Sequence, residues 1–259
     1  MKTSAIVRII LFSLGFMILL SILVGGIVIG SFISRKYSWA PSGTMITSGA
    51  KADPADFSNI KIEWTAGSIT IVTADTDQID IEETKDSNNP YSMVTEFIDD
   101  TLTIQYSTDD LSINFGSYAG KDLVVTVPED WDFNKLIING AALNIDISDL
   151  AIKSMELDGA ATRLNFNGAL GRLEYDGAAA DLKLNCTNWP ENIQIDGTAC
   201  KMDLSIPSGG GYRVDADGLA IDFDSNCEYR LHDSAYTYGN ANCHIDVSGA
   251  GCKITVNEN

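Results

Sequence analysis

Basic residues are scarce in most of this chain. After Lys36 there are 13 Lys and Arg residues against 36 Asp and Glu residues, which gives residues 37–259 a net charge of −23. A surface so acidic repels phosphate backbones and anionic headgroups. The composition therefore excludes nucleic acid as a partner and disfavours a domain that lies flat on an anionic membrane.

The residue patterns of catalysis are also missing. The chain has two histidines, His232 and His244, and neither belongs to a Ser/His/Asp or Cys/His arrangement. The glycine-rich stretch 209–214 lacks the Lys-Ser/Thr ending of a phosphate-binding loop. We therefore predict no catalytic, cofactor-binding or metal-ligating residues and no cofactor. A carbohydrate-active enzyme that uses paired acids, such as Asp222 and Asp224, is a third hypothesis only, because acid pairs arise by chance among 36 acidic residues.

Charge is absent from one long apolar stretch near the N-terminus, from Ile9 to Ile33. A helix of that length would extend roughly 37 Å, enough to cross a bilayer. The stretch is longer than the apolar region of a cleaved signal peptide, and Arg35 and Lys36 follow it directly. We predict a cytoplasmic N-terminus at 1–8 and an uncleaved single-pass transmembrane helix at 9–33.

Small residues recur on one face of this predicted helix, at Gly26, Gly30 and Ser34. Such a spacing lets two helix backbones approach closely and can drive pairing in a membrane. The spacing is a possible helix-pairing face, either with another membrane helix or in a homodimer.

Helical periodicity is absent after residue 36. Residues 34–57 are rich in Ser, Thr, Ala, Gly and Pro and are predicted to form a flexible linker. Short runs beyond it alternate apolar and polar residues with period two, which is typical of half-buried strands. The predicted strands before the repeats are 60–64, 68–72, 79–83, 93–97, 101–106, 111–115 and 122–127.

A glycine-centred repeat fills the rest of the chain. Its glycines are spaced 18 to 21 residues apart until one longer gap near the C-terminus, and they are Gly140, Gly159, Gly177, Gly197, Gly218 and Gly249. Apolar residues stand at the same distances before and after each glycine. Copies that share one register can stack and bury a continuous core. We predict an all-β fold, a β-solenoid over 58–259 whose strands before Pro128 cap one end, and an antiparallel sandwich is the alternative.

The chain resembles the bacterial putative-adhesin family in the residues IKIEWTAGSITI (60–71), DLVVTVP (122–128) and the strand-Gly-Ala repeats that follow. The resemblance covers roughly 58–259. It implies a β-strand-repeat domain of unknown function, exported and tethered by one N-terminal membrane helix. It carries over no catalytic residue. The positive charges flanking 9–33 are balanced, so the extracytoplasmic location of the C-terminal domain also follows from the resemblance.

A column of acidic residues precedes the glycines at Asp158, Asp176, Asp196 and Asp217. Stacking would place these carboxylates about 4.8 Å apart, a ladder that could attract calcium. The repulsion between neighbours in water is only about 0.9 kcal/mol, which the burial of one Leu or Ile per copy offsets. Asp before Gly is also an ordinary turn-former. We therefore expect no metal in this column.

Four of the five cysteines fall into two groups. Cys200 and Cys252 occupy a column of inward residues and are predicted to be buried. Cys227 and Cys243 bracket the long gap in the repeat, and with His232 and His244 they could be written as a zinc site. Neighbouring residues on a strand point to opposite faces, however, so Cys243 and His244 would not share a metal. A disulfide between Cys227 and Cys243 is the preferred prediction for an exported domain.

The same gap contains three tyrosines among polar residues, Tyr229, Tyr236 and Tyr238. Aromatic side chains with polar neighbours on a loop are typical of a binding surface, including one for sugars. Packing of these rings on the solenoid itself is the alternative. The interruption of the repeat is therefore the predicted place for a binding loop.

These patterns together predict a membrane-anchored extracytoplasmic solenoid that binds a surface glycan or protein ligand, or acts as a scaffold. The alternative is a subunit that senses envelope stress and signals through its membrane helix.

Overall fold

The computed structural model describes residues 45–86, 92–106, 121–131, 133–232 and 235–259. Within these ranges no helix combines the length and the apolar character needed to cross a bilayer. The predicted cytoplasmic segment 1–8, the predicted membrane helix 9–33 with Gly26, Gly30 and Ser34, and the predicted strand 111–115 lie outside the described residues.

The described residues form an all-β domain with one short 3-10 helix, Pro54–Asp56. One long strand, β8, stays in extended conformation while the chain passes from one copy of the repeat to the next. The strands are β1 (Met45–Ala52), β2 (Asn59–Glu63), β3 (Ala66–Ala74), β4 (Ile79–Asp86), β5 (Val94–Ile98), β6 (Thr101–Gln105), β7 (Lys121–Pro128), β8 (Phe133–Cys186), β9 (Asn192–Thr198), β10 (Cys200–Ile206), β11 (Gly211–Leu219), β12 (Asp222–Ser225), β13 (Arg230–His232), β14 (Ala235–Gly239), β15 (Cys243–Ala250) and β16 (Lys253–Glu258).

The repeats stack in register through parallel pairing. Leu173 on β8 pairs with Ile193 on β9, and Leu182 pairs with Met202 on β10, so each copy contributes two strands to the stack. Inward residues alternate with outward ones along every copy, and the inward ones form one continuous core. The predicted solenoid register is therefore present in the structure.

The stack begins earlier than the sequence indicated. Ile60 pairs in parallel with Leu136, and Ile69 pairs with Ile145, so 59–74 is a further copy with Trp64 at the place of the glycine. β6 and β7 pair with the two strands of that copy and form another. The predicted cap is thus two additional rungs of the stack, and the antiparallel strands β1, β4 and β5 lie outside them.

Chain order and stacking order differ at both ends. At the first end, the copy made of β6 and β7 is outermost although it follows β2 and β3 in sequence. At the second end, the last copy (β15 and β16) inserts between β9/β10 and the earlier copy β11/β12. Repeated copies present the same apolar columns, so a copy can pair with a neighbour that is not adjacent in sequence.

The glycine positions are explained by close packing between rungs. A Cβ added to Gly197 would lie 2.6 Å from the carbonyl oxygen of Gly177, and one added to Gly177 would overlap the carbonyl oxygen of Gly159. The chain remains a strand through Gly140, Gly159 and Gly177, so these positions are not the turns that the Asp-Gly pattern predicted. Glycine is required here because the next backbone occupies the space of a side chain.

The first end of the stack is closed by a buried ion pair. Lys121 Nζ lies 2.8 Å from Glu83 Oε1, and both side chains have 0% exposure. Glu83 Oε2 also accepts hydrogen bonds from Ser48 Oγ and the Met93 amide, each at 3.0 Å. Burial lowers the pKa of Lys121, and the neighbouring Glu83 carboxylate opposes that shift. The Lys121 ammonium also lies 4.1 Å from the centre of the Tyr106 ring.

The predicted flexible linker 34–57 is wrong over its second part. Residues Met45–Ala52 form β1, which pairs antiparallel with Ile79–Asp86. Backbone hydrogen bonds to β4, rather than an apolar alternation of its own, place this segment in the sheet.

Candidate functional site

The interruption of the repeat folds into a hairpin at the second end of the stack. β13 and β14 pair antiparallel with each other, and β14 pairs with β11, the first strand of the outermost copy. The structure thus places Tyr236 and Tyr238 on β14, whereas the sequence indicated a loop. Tyr229 precedes the hairpin.

Five aromatic rings cover the core at this end. Phe223 lies 4.5 Å from Tyr236 and 5.2 Å from Tyr229 between ring centres, and Tyr212 lies 5.6 Å from Tyr238. Contacts of this kind stabilise beyond the area that they bury, by about 0.5–1.5 kcal/mol a pair. We call Tyr212, Phe223, Tyr229, Tyr236 and Tyr238 the aromatic cap.

Two hydroxyl groups of the cap, those of Tyr212 and Tyr238, are hydrogen-bonded inside the protein. Tyr212 donates to Ser225 Oγ at 2.8 Å, and Tyr238 donates to Glu258 Oε2 at 3.0 Å. Burial raises the pKa of Tyr212 to about 12, and the hydrogen bond to the Glu258 carboxylate raises the pKa of Tyr238. The role of Tyr236 and Tyr238 in this structure is therefore packing, the alternative weighed for them from the sequence.

Tyr229 is the cap residue that faces solvent most. It is 38% exposed, and the same end carries Leu219 at 77% and Leu231 at 64% exposure. Among the described strands β12 pairs only with β16, so one edge of β12 has no strand neighbour. We call Tyr229 and Leu231 with the edge of β12 the outer patch. Leu219 and Leu231 were missed from the sequence because each is a single apolar residue outside the repeat columns.

A second cluster lies on the outer face of the same end. His244 Nε2 is 2.8 Å from Asp215 Oδ2 and 3.3 Å from Asp246 Oδ1, because β11 and β15 pair with Asp215 opposite Asp246. One ligand atom from each of the three residues lies within 4.8 Å of the others, an arrangement that could hold a metal ion. Arg213 donates two hydrogen bonds of 2.6 Å to Asp215, and that contact holds the pKa of Asp215 low. The charge of Asp215 is thus already balanced by protein groups.

The acidic column is interrupted at this end. Asp176 pairs with Asp196 on the next rung. Ser248 then lies between Asp196 and Asp217 in the stack, because it pairs with both of them. All four aspartates are exposed. The predicted ladder of four carboxylates is therefore a run of three with Asp217 set apart, because the last copy inserts before the outermost one.

All five cysteines are free thiols in the structure, and the bridge between Cys227 and Cys243 stays a prediction. Cys243 is fully buried at the start of β15, while its neighbour His244 is exposed, which confirms that the two point to opposite faces. Burial raises the pKa of Cys186 to about 12, and the nearby Cys243 thiol adds to the shift. The thiol near Cys243 is thus that of Cys186.

A shallow groove of about 360 Å³ crosses the outer face of the second strands of β8 and β10. Its walls include Asp146, Asn165 and Asn185. Asn165 donates to Asp146 at 2.7 Å, and Asn185 donates to Asn167 at 2.7 Å. These side chains satisfy one another along the stack, so the groove is the outer surface of a polar ladder rather than a set of converging unsatisfied groups.

Comparison with known proteins agrees with this architecture. A family model described as Toastrack DUF4097 matches residues 57–218, more than half of the chain. No curated protein sequence matches. A crystal structure named as a putative cell adhesion protein from Clostridium sporogenes has a TM-score of 0.54 at 12% identity, covering 83% of this chain and 100% of that one.

A structure named as a putative adhesin from Bacteroides fragilis has a TM-score of 0.46 at 13% identity, covering 83% of this chain and 98% of that one. The family model confirms the resemblance found in the sequence. At such low identity the likeness to the solved structures shows the fold alone.

Proposed function

The chain belongs to the Toastrack DUF4097 family, and on that premise we propose that it is a non-catalytic binding module, anchored in the membrane by residues 9–33. Its solenoid domain stands on the extracytoplasmic side. The outer patch binds the ligand, a surface glycan. The observation that supports this is an exposed tyrosine, Tyr229, held by ring contacts at the end of a rigid stack.

The ring of Tyr229 suits a sugar because it exposes apolar ring surface beside polar groups. Phe223 and Tyr236 support it from within, at 5.2 and 5.5 Å between ring centres. Exposed Glu228 is its neighbour in the chain and offers a carboxylate that can accept hydrogen bonds from hydroxyls. A ring fixed in place loses little conformational entropy when a ligand stacks on it.

The position of the outer patch also supports the proposal. β1, through which the chain continues toward its N-terminus, lies at the first end of the stack, and the outer patch lies at the second. Eight rungs at about 4.8 Å separate the two ends by roughly 34 Å. The outer patch is then at the end of the solenoid opposite β1, where it is open to a ligand.

The binding proposal is tested with the full-length protein in lipid nanodiscs on an array of bacterial and host glycans. We expect a bound glycan whose affinity falls at least about tenfold in Tyr229→Ala, as for truncation of a central aromatic contact. Phe97→Ala is the matched control, because Phe97 is 52% exposed on β5 at the first end of the stack. Capture of a protein that depends on Tyr229 would replace the glycan as ligand. Binding that is indifferent to Tyr229→Ala would remove the site.

The small-residue face at Gly26, Gly30 and Ser34 favours a second function, an envelope sensor that signals through its membrane helix. Crosslinking of Gly26→Cys in native membranes tests it. A dimer band above that of a lipid-facing cysteine at another position of 9–33 supports pairing. Equal bands would show that this helix face does not pair, and would contradict the sensor function.

A further inference from the structure

Cys200 and Cys252 lie on neighbouring rungs at the same position of the repeat. The register of β10 and β16 places Lys201 opposite Lys253, so the residues immediately before them, Cys200 and Cys252, are opposite each other. Both side chains are buried, at 2% and 1% exposure. These two cysteines belong to copies that are not consecutive in sequence, because the last copy inserts beside 193–204.

Both sulfur atoms lie next to the same glycine. Cys252 Sγ is 3.6 Å from the carbonyl oxygen of Gly197, and a Cβ built on Gly197 would be 2.6 Å from Cys200 Sγ. The absent side chain of Gly197 leaves the space in which the two thiols meet. Burial raises the pKa of Cys200 to about 12, and the adjacent Cys252 thiol adds to the shift, which independently reflects how close the two groups are.

We propose that Cys200 and Cys252 form a disulfide that joins the last copy of the repeat to the copy 193–204. Adjacent strands place opposite Cα atoms about 4.8 Å apart, within the range of roughly 4.4–6.8 Å that a disulfide spans. The crosslink rests on the extracytoplasmic location in the proposed function, since disulfides persist in oxidising compartments. Cys227 takes no part, because it lies with the aromatic cap.

The crosslink forms by thiol–disulfide exchange with an external disulfide oxidant. The thiolate of one cysteine attacks the oxidant and releases one thiol, and the second cysteine then displaces the other. Two protein thiols become one S–S bond, and the oxidant is reduced to two thiols. Burial disfavours the thiolate, so exchange occurs before 245–256 inserts into the stack, while Cys252 is open to solvent.

The bond closes residues 201–251 into a loop that contains the aromatic cap and the outer patch. Closing a loop of this length restricts the unfolded chain and stabilises the copy whose stacking order departs from chain order. We expect the melting temperature of the oxidised protein to be roughly 5–15 °C higher than that of the reduced protein.

The test isolates the full-length protein from membranes, blocks free thiols, and maps its peptides by mass spectrometry without reduction. We expect a crosslinked pair of peptides containing Cys200 and Cys252. Refolding of the reduced protein with oxidised glutathione should give the same pair. Reduction should lower the melting temperature of the wild type and of the control Cys227→Ala, but not that of Cys200→Ala.

Blocked, unlinked Cys200 and Cys252 in both preparations would overturn the proposal, as would a bond from either residue to a different cysteine. The crosslink is detected by mass and not by ligand binding. Loss of the glycan result at Tyr229 therefore leaves this inference standing, and a missing crosslink leaves the binding site standing.

Discussion

The two ends of the stack are built alike in backbone and differently in chemistry. Each has an outermost rung that departs from chain order, and each is covered by antiparallel strands. The first end encloses the ion pair of Lys121 and Glu83, with no exposure of either side chain. The second end encloses tyrosine rings, one of which remains at the surface.

This difference separates an end whose core is closed by a charged pair from the end that carries the proposed binding site. A buried ion pair is satisfied only by its own partners and offers nothing to solvent. Tyrosine rings bury apolar area and can still leave part of the side chain accessible, and Tyr229 is 38% exposed. The first end also carries an exposed apolar strand, β5, with Val94, Phe97 and Ile98. Because each end has its own buried and exposed side chains, the effects of substitutions on stability can be compared between the two ends.

The largest effect is expected from splitting the buried ion pair. Lys121→Met or Glu83→Leu alone leaves an uncompensated buried charge and should lower the free energy of unfolding by about 3–5 kcal/mol. The double variant should lose much less than the sum, because both charges are gone. Urea denaturation of the three variants measures this. Additive losses, or a single loss below about 1 kcal/mol, would contradict a coupled pair at the first end.

Two matched glycines test whether the backbone requires glycine for the same reason at both ends of the stack. Gly67 at the first end and Gly249 at the second both have φ of +129°, and a Cβ on either would overlap a carbonyl oxygen of the adjacent rung, that of Lys121 or Gly197. Gly67→Ala and Gly249→Ala should each cost roughly 2–4 kcal/mol in denaturant unfolding.

The control for these glycines is Gly209→Ala. Gly209 has φ of +90° but no atom within 4 Å of an added Cβ, so only the backbone strain of about 1–2 kcal/mol applies. Equal losses at all three positions would show that strain alone, and not rung-to-rung contact, decides the cost.

Periodicity in the sequence predicted the columns of this fold but not the order of its rungs. Leu182, Met202, Phe223 and Ile254 were aligned correctly, and they stack in the core. Because every copy carries similar apolar columns, the pattern does not say which copy is next to which. The insertion of 245–256 before 214–223 therefore came only from the structure, and so did the break in the aspartate column.

Residues at the ends were harder to predict because they depart from the repeat. Trp64 replaces the glycine of the column, so the copy 59–74 did not align with the others. The place of the candidate site was predicted, since the gap after Gly218 does hold the exposed Tyr229. Its form was not, because β13 and β14 are short strands fixed by pairing with β11 and not by a pattern of their own.

Alkaline pH should weaken the aromatic cap through Tyr212. Burial raises the pKa of this phenol from 10 to about 12, so the folded state favours the neutral form. The neutral phenol contributes fully to the free energy of unfolding below pH 10. This contribution, at most about 2 kcal/mol, is lost as the pH rises through about 12. Unfolding free energies between pH 9 and 12 should fall less steeply in Tyr212→Phe than in the wild type. Parallel curves for the two proteins would show that Tyr212 titrates as an exposed phenol.

The smallest effect is expected from single substitutions in the aspartate column. The column has neighbouring carboxylates in the middle of the stack but an isolated one at the second end. Asp176 lies between two acidic neighbours in the column, whereas Asp217 pairs with Ser248. Asp176→Asn should raise the free energy of unfolding by up to about 1 kcal/mol at low salt through relief of repulsion, and the gain should vanish at high salt. The control Asp217→Asn should change nothing, and neither protein should differ in melting temperature between calcium and a chelator. A calcium-dependent rise that Asp176→Asn abolishes would show that the three neighbouring carboxylates hold an ion.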